Sequence, residues 1–364
     1  MQADTAVLSG AAPEPAADAR FGFAILGQLA AGRDAGNVLI APRNIRSALA
    51  AVAVGAEGET GSEIVTRTNS YDDIDNAPGK SFRNALHIWV WPGQALKEDF
   101  RAHFKDARID STAPDDAPAI VNAYVRERTG GKIDEILTSA PEGIGIVLTT
   151  VFDFEGKWRF AFDPKQSYDD NFFVAPDAPL TVRFMARRGE YHYAETDEGQ
   201  IVRLPYRDDG LVMTLFLPKA PLRVEDWLQA GTGEAWQALV AAMTPHDGLV
   251  ALPRLKSLFS AELTQALQAL GIRRAFTSAA EFTGILDAPL KIDRVLHKAM
   301  LKIDEQGTEA AAATSIGMRA TAMQINRPEP FEMKLDRPFL LTIGDALNRK
   351  ILFMGVVREP GEEK

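Results

Sequence analysis

One stretch of the chain, residues 305–330, constrains the fold more than any other. It consists mainly of small and polar residues and has no apolar periodicity of its own. Strongly β-prone runs lie on both sides of it, at 296–303 and 339–343. A loop of that length inside a compact domain is either functional or disordered. The fold must therefore accommodate an unusually long connection between two strands.

The first half of this stretch has a composition suited to a change of conformation. Gly307 lacks a Cβ and can serve as a pivot, and Thr308 to Ser315 contains only small side chains apart from Glu309. As a strand, the segment would alternate its side chains between two faces. One face would be free of charge, and the other would carry Glu309 toward water. An alanine-rich helix or a plain linker also fits, so composition alone leaves the alternatives open.

The overall composition is that of an ordinary globular chain with an acidic balance. Lys and Arg total 40 and Asp and Glu total 50, and the formal net charge of −10 disfavours a nucleic-acid partner. The absence of cysteine excludes disulfides, thiolate metal sites and cysteine nucleophiles. The histidines lie too far apart for a short metal signature, so we expect no metal and no cofactor. No apolar run is long enough for a transmembrane helix, and we expect no membrane partner.

Helical and strand-like patterns alternate irregularly, without an internal repeat or a linker. The clearest are helices near 21–31, 44–55 and 225–242 and strands at 84–91 and 145–154. This mixture predicts an α+β architecture with large sheets. We expect one domain, 1–364, with a loosely held N-terminal segment, 1–18.

No catalytic constellation can be assembled from the motifs. A Gly-x-Ser-x-Gly nucleophile elbow is absent, and the glycine-rich run 55–62 lacks the lysine that a phosphate loop needs. His297 lies in the β-like run 294–300, where a hydrogen-bonded structural histidine is more common than a catalyst. We therefore predict that the chain is not an enzyme.

The segment Glu305-Gln-Gly-Thr-Glu-Ala-Ala-Ala-Ala-Thr314 resembles the reactive-loop hinge of inhibitory members of the serpin family. Weaker matches follow in family order over almost the whole chain. They are Asn37-Val-Leu-Ile-Ala-Pro42, Gly55-Ala-Glu-Gly-Glu-Thr60, Phe154-Glu-Gly-Lys-Trp158, Leu204-Pro-Tyr206, Leu252-Pro-Arg254, Asp336-Arg-Pro-Phe339 and Phe353-Met-Gly355. Each is unspecific alone, but the ordered set with the hinge is specific. The alanine-rich, cysteine-free composition suggests a bacterial source.

The resemblance implies three β-sheets, about eight or nine helices and an exposed reactive loop within 305–335. It also implies suicide inhibition of a serine protease. The protease cleaves the loop and forms a covalent acyl-enzyme, and the cut loop then inserts into the main sheet as a new strand and drags the protease along. The inhibitor supplies stored free energy and no catalytic residue. The expected partner is the target protease, and the expected free form is a monomer.

Several site residues follow from the resemblance alone. The hinge residues would be Glu305, Gly307, Thr308, Glu309, Ala310, Ala311, Ala312 and Ala313. The residues of the shutter, beneath the main sheet, would be Ala41, Asn44, Thr149 and His297. Trp158 would lie at the breach, where the loop first enters the sheet. The family usually has two serines and an asparagine beside the shutter histidine, so the network must be rebuilt here, with Asn44 as a candidate partner.

Counting from the hinge glutamate, as in typical inhibitory relatives, places the cleaved bond between Thr321 and Ala322. A small uncharged residue on the acyl side indicates an elastase-like or subtilisin-like target. A shift of one or two residues would give Ala320, Ala322 or Met323, which suit the same proteases, whereas Arg319 would indicate a trypsin-like one.

A non-inhibitory serpin, acting as a carrier or chaperone, is the main alternative. Such relatives often have bulky, charged or proline residues at the insertion positions, and Thr308 to Ala313 carries no such bulk. Residues 66–80 are short where relatives have a helix, so a cofactor site on that helix is doubtful. We expect an extracellular or periplasmic location with a trimmed signal peptide, and a cytoplasmic location is the alternative.

Overall fold

A computed structural model describes residues 17–33, 35–68, 81–91, 95–102, 108–110, 114–140, 145–207, 210–230, 233–307, 329–347 and 350–362. The α-helices in these ranges are α1 (Ala17–Ala30), α2 (Pro42–Ala53), α3 (Gly58–Thr68), α4 (Glu98–Ala102), α5 (Ala117–Arg128), α6 (Val224–Ala230), α7 (Gly233–Ala242) and α8 (Thr264–Ala269). None of the helices described is both long and apolar enough to cross a membrane.

The same ranges contain fifteen β-strands. They are β1 (Val38–Ile40), β2 (Phe82–Trp91), β3 (Arg108–Asp110), β4 (Gly145–Phe154), β5 (Tyr168–Ala175), β6 (Ala178–Glu195), β7 (Gly199–Pro205), β8 (Leu211–Pro218), β9 (Thr244–Pro253), β10 (Leu255–Glu262), β11 (Ile292–Ile303), β12 (Phe331–Lys334), β13 (Phe339–Asp345), β14 (Ile351–Val357) and β15 (Gly361–Glu362).

The strands form two hydrogen-bonded networks. The six-stranded sheet has the order β15-β10-β11-β4-β2-β3. The nine-stranded network has the order β1-β14-β13-β8-β7-β6-β9-β12, with β5 paired to β6. Its first strand comes from the start of the chain and its second from the end, with Val38 opposite Val356.

The architecture confirms the predicted α+β fold, but the described strands join into two networks where three sheets were predicted. The reason is the 18-residue strand β6. It pairs with β5 at its beginning, with β9 from Phe184 to Tyr193, and with β7 from His192 to Glu195. One continuous strand thus joins what would otherwise be two sheets. The eight described α-helices agree with the predicted number.

Both faces of the six-stranded sheet are covered at its centre. Strand β4 is buried at all ten of its positions, which agrees with its mainly apolar sequence. One face, which includes Leu148 and Ala299, belongs to the main core. The other face packs under helix α5 through a second apolar cluster that includes Trp89, Val125 and Val151. Any separation of the central strands must therefore also disturb the packing of α5.

The predicted loosely held segment, 1–18, is wrong for its last two residues, which belong to a helix. Residues 1–16 lie outside the described ranges, and helix α1 begins at Ala17. Asp18 is only 5% exposed and forms an ion pair with Arg46 of helix α2. Its other carboxylate oxygen lies 3.8 Å from Arg43. A buried carboxylate requires such partners, so Asp18 connects the N-terminal parts of α1 and α2.

Candidate functional site

Strands β4 and β11 lie side by side and parallel at the centre of the six-stranded sheet. They pair directly from Ile146 and Ile292 at one end to Phe154 and Leu301 at the other. Each also has an antiparallel partner on its outer side, β2 for β4 and β10 for β11. A strand that entered between them from the end of β11 would be antiparallel to both. It would then make the same type of ladder as those outer pairs.

The chain turns immediately after β11. The N–H of Asp304 donates to the carbonyl of Gly307 at 2.8 Å, and the N–H of Gly307 donates back at 3.2 Å. Gly307 also forms a β-bridge with Lys157. Its φ is +138°, and a Cβ there would lie 2.1 Å from the carbonyl oxygen of Gly156. Glycine is required for this close approach, and the turn reverses the chain at the end of the sheet.

Glu305, a predicted hinge residue, lies in a buried ionic contact within this turn. It is 4% exposed, and Arg254 donates to its carboxylate from Nη2 at 2.7 Å and from Nε at 3.0 Å. The Ser167 hydroxyl donates to it at 2.5 Å. Burial disfavours the charged carboxylate, but these donors outweigh that effect and hold the pKa of Glu305 below its ordinary value. The charged carboxylate therefore anchors the start of the hinge.

Trp158, predicted at the breach, packs against the same turn. It is 2% exposed, and its indole Nε1 donates to the carbonyl of Asp304 at 2.9 Å. Its main-chain N–H donates to the carbonyl of Gln306 at 3.0 Å. The indole stacks on Tyr206, with ring centroids 4.6 Å apart and an interplanar angle of 12°. The structure thus brings Trp158, Glu305 and Gly307 together.

Sequence reasoning missed Arg254, Ser167 and Tyr206 in this cluster. Arg254 and Tyr206 belong to short motifs of the family resemblance, which was the available signal for them. Ser167 had no such signal, because its partner Glu305 is 138 residues away along the chain. A contact between positions so far apart leaves no local pattern.

His297 lies fully buried in β11 and uses both ring nitrogens. The main-chain N–H of Ala41 donates to Nε2 at 3.2 Å, so Nε2 carries no proton. The proton therefore lies on Nδ1, which donates to the Thr150 hydroxyl at 2.8 Å. Burial lowers the pKa of His297 to about 3, and the contact with Thr150 offsets this only in part. The neutral ring connects the start of α2 with β11 and β4.

Thr149, predicted as a shutter residue, lies on the opposite face of β4 from His297. Adjacent side chains of a strand point to opposite faces, and the neighbours of Thr149 at 147 and 151 belong to the face under α5. The Thr149 hydroxyl is buried without a hydrogen bond among the atoms described. Asn44, another predicted shutter residue, donates to the carbonyl of Val151 at 2.9 Å rather than to the His297 ring. Ala41 contributes its main chain, as given above.

The segment that returns to the sheet after residue 328 is anchored as well. Strand β12 pairs with β9, Phe331 opposite Gly248. The Phe331 ring stacks on Tyr193 with centroids 3.7 Å apart and an interplanar angle of 3°. A Cβ on Gly248 would lie 2.3 Å from the Phe331 ring, so glycine makes room for this stack. Gly307 and Phe331 are the two anchor points on either side of 308–328.

The remaining predicted site residues lie outside the described ranges and stay predictions. They are the hinge residues Thr308, Glu309, Ala310, Ala311, Ala312 and Ala313 and the reactive bond between Thr321 and Ala322.

Comparisons with known proteins agree on one family. A family model described as Serpin (serine protease inhibitor) matches residues 16–360. An uncharacterized serpin-like protein of Thermococcus kodakarensis is 31% identical, over 93% of this chain and 84% of its own length. Alpha-1-antiproteinase S of Cavia porcellus is 29% identical, over 99% of this chain and 94% of its own.

Two solved structures share the fold over nearly all of the chain. The thermophilic serpin tengpin in its native state has a TM-score of 0.84 at 24% identity, covering 95% of this chain and 94% of its own. Human thyroxine-binding globulin has a TM-score of 0.84 at 22% identity, covering 96% of this chain and 98% of its own.

Proposed function

Because this chain belongs to the serpin family, we propose that it is a suicide inhibitor of a serine protease. The protease cleaves the reactive loop and forms an acyl-enzyme, and the cut loop inserts between β4 and β11. The closed turn from Asp304 to Gly307 carries this proposal. A strand that continued from that turn would run antiparallel to β11, and Glu305 would anchor its start.

The hydrogen-bond balance of the sheet favours insertion. Strands β4 and β11 now share one ladder, from Ile146 and Ile292 to Phe154 and Leu301. An inserted strand replaces that ladder with two, a net gain of one ladder at about 0.5–1.5 kcal/mol for each hydrogen bond. Small residues after Gly307 can enter a packed sheet without the strain that bulky ones cause. The uncut chain is therefore metastable with respect to the cleaved, inserted form.

The proposed reactive bond is Thr321–Ala322, and the proposed target is an elastase-like or subtilisin-like protease. We place its action outside the cytoplasm, with the inhibitor as a monomer before it meets the protease. The carrier alternative is represented among the similar folds by thyroxine-binding globulin. The small residues at the insertion positions favour inhibition over that role.

The direct test is a denaturing gel after mixing the protein with subtilisin or elastase. An inhibitor gives a covalent complex that survives denaturation, and mass spectrometry of the released C-terminal fragment identifies the cleaved bond. A carrier gives cleavage without a complex, and that result would refute the proposal. The Thr308→Arg variant is the matched control, because it keeps the cleavage site but places a cation at an insertion position.

A further inference from the structure

A surface formed by Lys157, Arg159, Phe160 and Arg187 lies between the two anchor points of the loop. We call it the loop-side cationic surface. The main chain of Lys157 forms the β-bridge with Gly307. On the other side, the Arg187 guanidinium lies 4.6 Å from the Tyr191 ring centroid. That ring contacts Phe331 edge-on, with centroids 5.9 Å apart. Both anchor points of the loop therefore lie next to this surface.

The cations surround an exposed aromatic ring. Phe160 is 53% exposed, and the guanidinium carbons of Arg159 and Arg187 lie 5.7 and 5.3 Å from its ring centroid. Lys157 and Arg159 project away from the core, because Trp158 between them points inward. Aromatic side chains and arginines are both enriched at protein interfaces.

None of the three cations has a carboxylate partner among the described residues. Elsewhere, Arg254 is paired with Glu305 and Lys334 with Asp170. Arg187 lies between two aromatic rings, and its Nε makes no hydrogen bond to a described atom. Burial also lowers the pKa of Arg187, although a guanidinium stays charged at neutral pH. An incoming carboxylate would relieve this cost, since burying an unpaired charge is unfavourable.

We infer that the loop-side cationic surface is an exosite for an acidic patch of the target protease. The inference rests on the proposed function, because a protease bound to the loop would be tethered between Gly307 and Phe331, the two anchor points beside this surface. With a net charge of −10, the chain as a whole repels an acidic partner, and a local cationic surface offsets this where the two must meet. Its main effect would be on the association rate, as for charges at the rim of an interface.

A sulfated or phosphorylated polymer is the competing occupant, and two observations favour a protein. The affinity of a polyanion rises with each cation that it neutralises. This surface offers only three cations, which is few for such a partner. It also presents Phe160, whose exposed ring contributes nothing to a purely ionic contact but would be buried against a protein.

The test uses Arg159→Glu, with Lys219→Glu as the matched control. Lys219 is an exposed cation without a described ion pair, and it lies beyond the far end of β7, roughly 20 Å from Tyr206. Both variants change the net charge equally. Association rate constants are measured at about 0.02 M and about 0.3 M ionic strength. The proteases are two of subtilisin type with the same cleavage preference, one acidic and one basic.

At low salt, Arg159→Glu should lower the rate constant for the acidic protease by about tenfold, and high salt should largely remove the difference. The basic protease should show no fall, and Lys219→Glu should change either rate little. The exosite inference would be overturned if Arg159→Glu and Lys219→Glu changed the association rate constant equally. It would also be overturned if Arg159→Glu lowered that constant equally for both proteases. Acceleration by a sulfated polysaccharide with both proteases that is lost in Arg159→Glu would overturn it as well, since the occupant would then be a polyanion.

The amount of protease trapped per inhibitor separates this inference from the proposed function. If the wild type forms covalent complexes but Arg159→Glu does not change the association rate constants as expected, the exosite inference is wrong and the inhibitory function stands. If the wild type forms no covalent complex with either protease, the proposed function fails and the exosite with it.

Discussion

Replacement of His297 should destabilise the native protein strongly, because both ring nitrogens are used. In His297→Ala the N–H of Ala41 and the hydroxyl of Thr150 would each lose a buried partner. An unsatisfied buried group costs about 1–3 kcal/mol, and we expect at least that loss from the N–H of Ala41. The Thr150 hydroxyl keeps its contact with the carbonyl of Leu296 at 3.4 Å and adds less. Because the ring connects α2, β4 and β11, we also expect easier opening of the central strands and polymers on mild heating.

The buried ring also predicts how stability depends on pH. The pKa of His297 is lowered from 6.5 to about 3 in the folded chain. Between these values the unfolded chain binds a proton that the native chain does not, so stability falls as the pH falls. From pH 7.5 to pH 5 this single group should cost about 2 kcal/mol. His297→Gln cannot titrate and should lack that component.

The assay is urea unfolding of the wild type, His297→Ala and His297→Gln at pH 7.5 and pH 5, with native gels after heating. We expect the wild type to lose about 2 kcal/mol more than His297→Gln over this interval. Equal pH dependence in all three would mean that the ring titrates normally. Unchanged stability of His297→Ala at pH 7.5, without polymers, would refute its role as a connection between strands.

Three other predictions follow from the hinge and the strands around it. Thr150→Val should cost about 1–2 kcal/mol of unfolding free energy, whereas Thr149→Val should change it by under about 0.5 kcal/mol, and urea unfolding of both variants checks the assignment of faces. Arg254→Met should leave Glu305 poorly paired and lower stability by about 1–3 kcal/mol at neutral pH, with a smaller loss where the carboxyl is protonated, and equal losses at both pH values would contradict the ion pair. Thr308→Arg should turn the inhibitor into a substrate, because a buried unpaired cation opposes insertion, and full trapping by this variant would argue against strand insertion.

The sequence predicted the position of a strand best where that strand is buried on both faces. Strand β4 appears in the sequence as a long β-prone run over 145–154, and the structure has a strand at those positions. Strand β6 was not predicted, because its burial changes along its length as its partner changes from β5 to β9 to β7. A strand of that kind has no single alternation for a pattern to detect, and the fusion of two sheets was missed with it.

The candidate site shows a second limit of sequence reasoning. The resemblance selected His297 and the correct stretch of β4, but it chose Thr149 instead of Thr150. Both are threonines in an apolar run, so neither composition nor local pattern separates them. Only the register between β4 and β11 decides which hydroxyl faces the ring, and a shift of one residue reverses every side chain.

The pairing of β1 with β14 has a consequence for how the protein is made. Val38 and Val356 are opposite each other, so roughly 300 residues must be synthesised before β1 finds its neighbour. At about 5–20 residues per second, the first strand waits for roughly 15–60 s. Until then helices α1 and α2, which both contact β14, lack that part of their core. A chain released by a ribosome that stalls before residue 351 lacks β14 and cannot close its nine-stranded network.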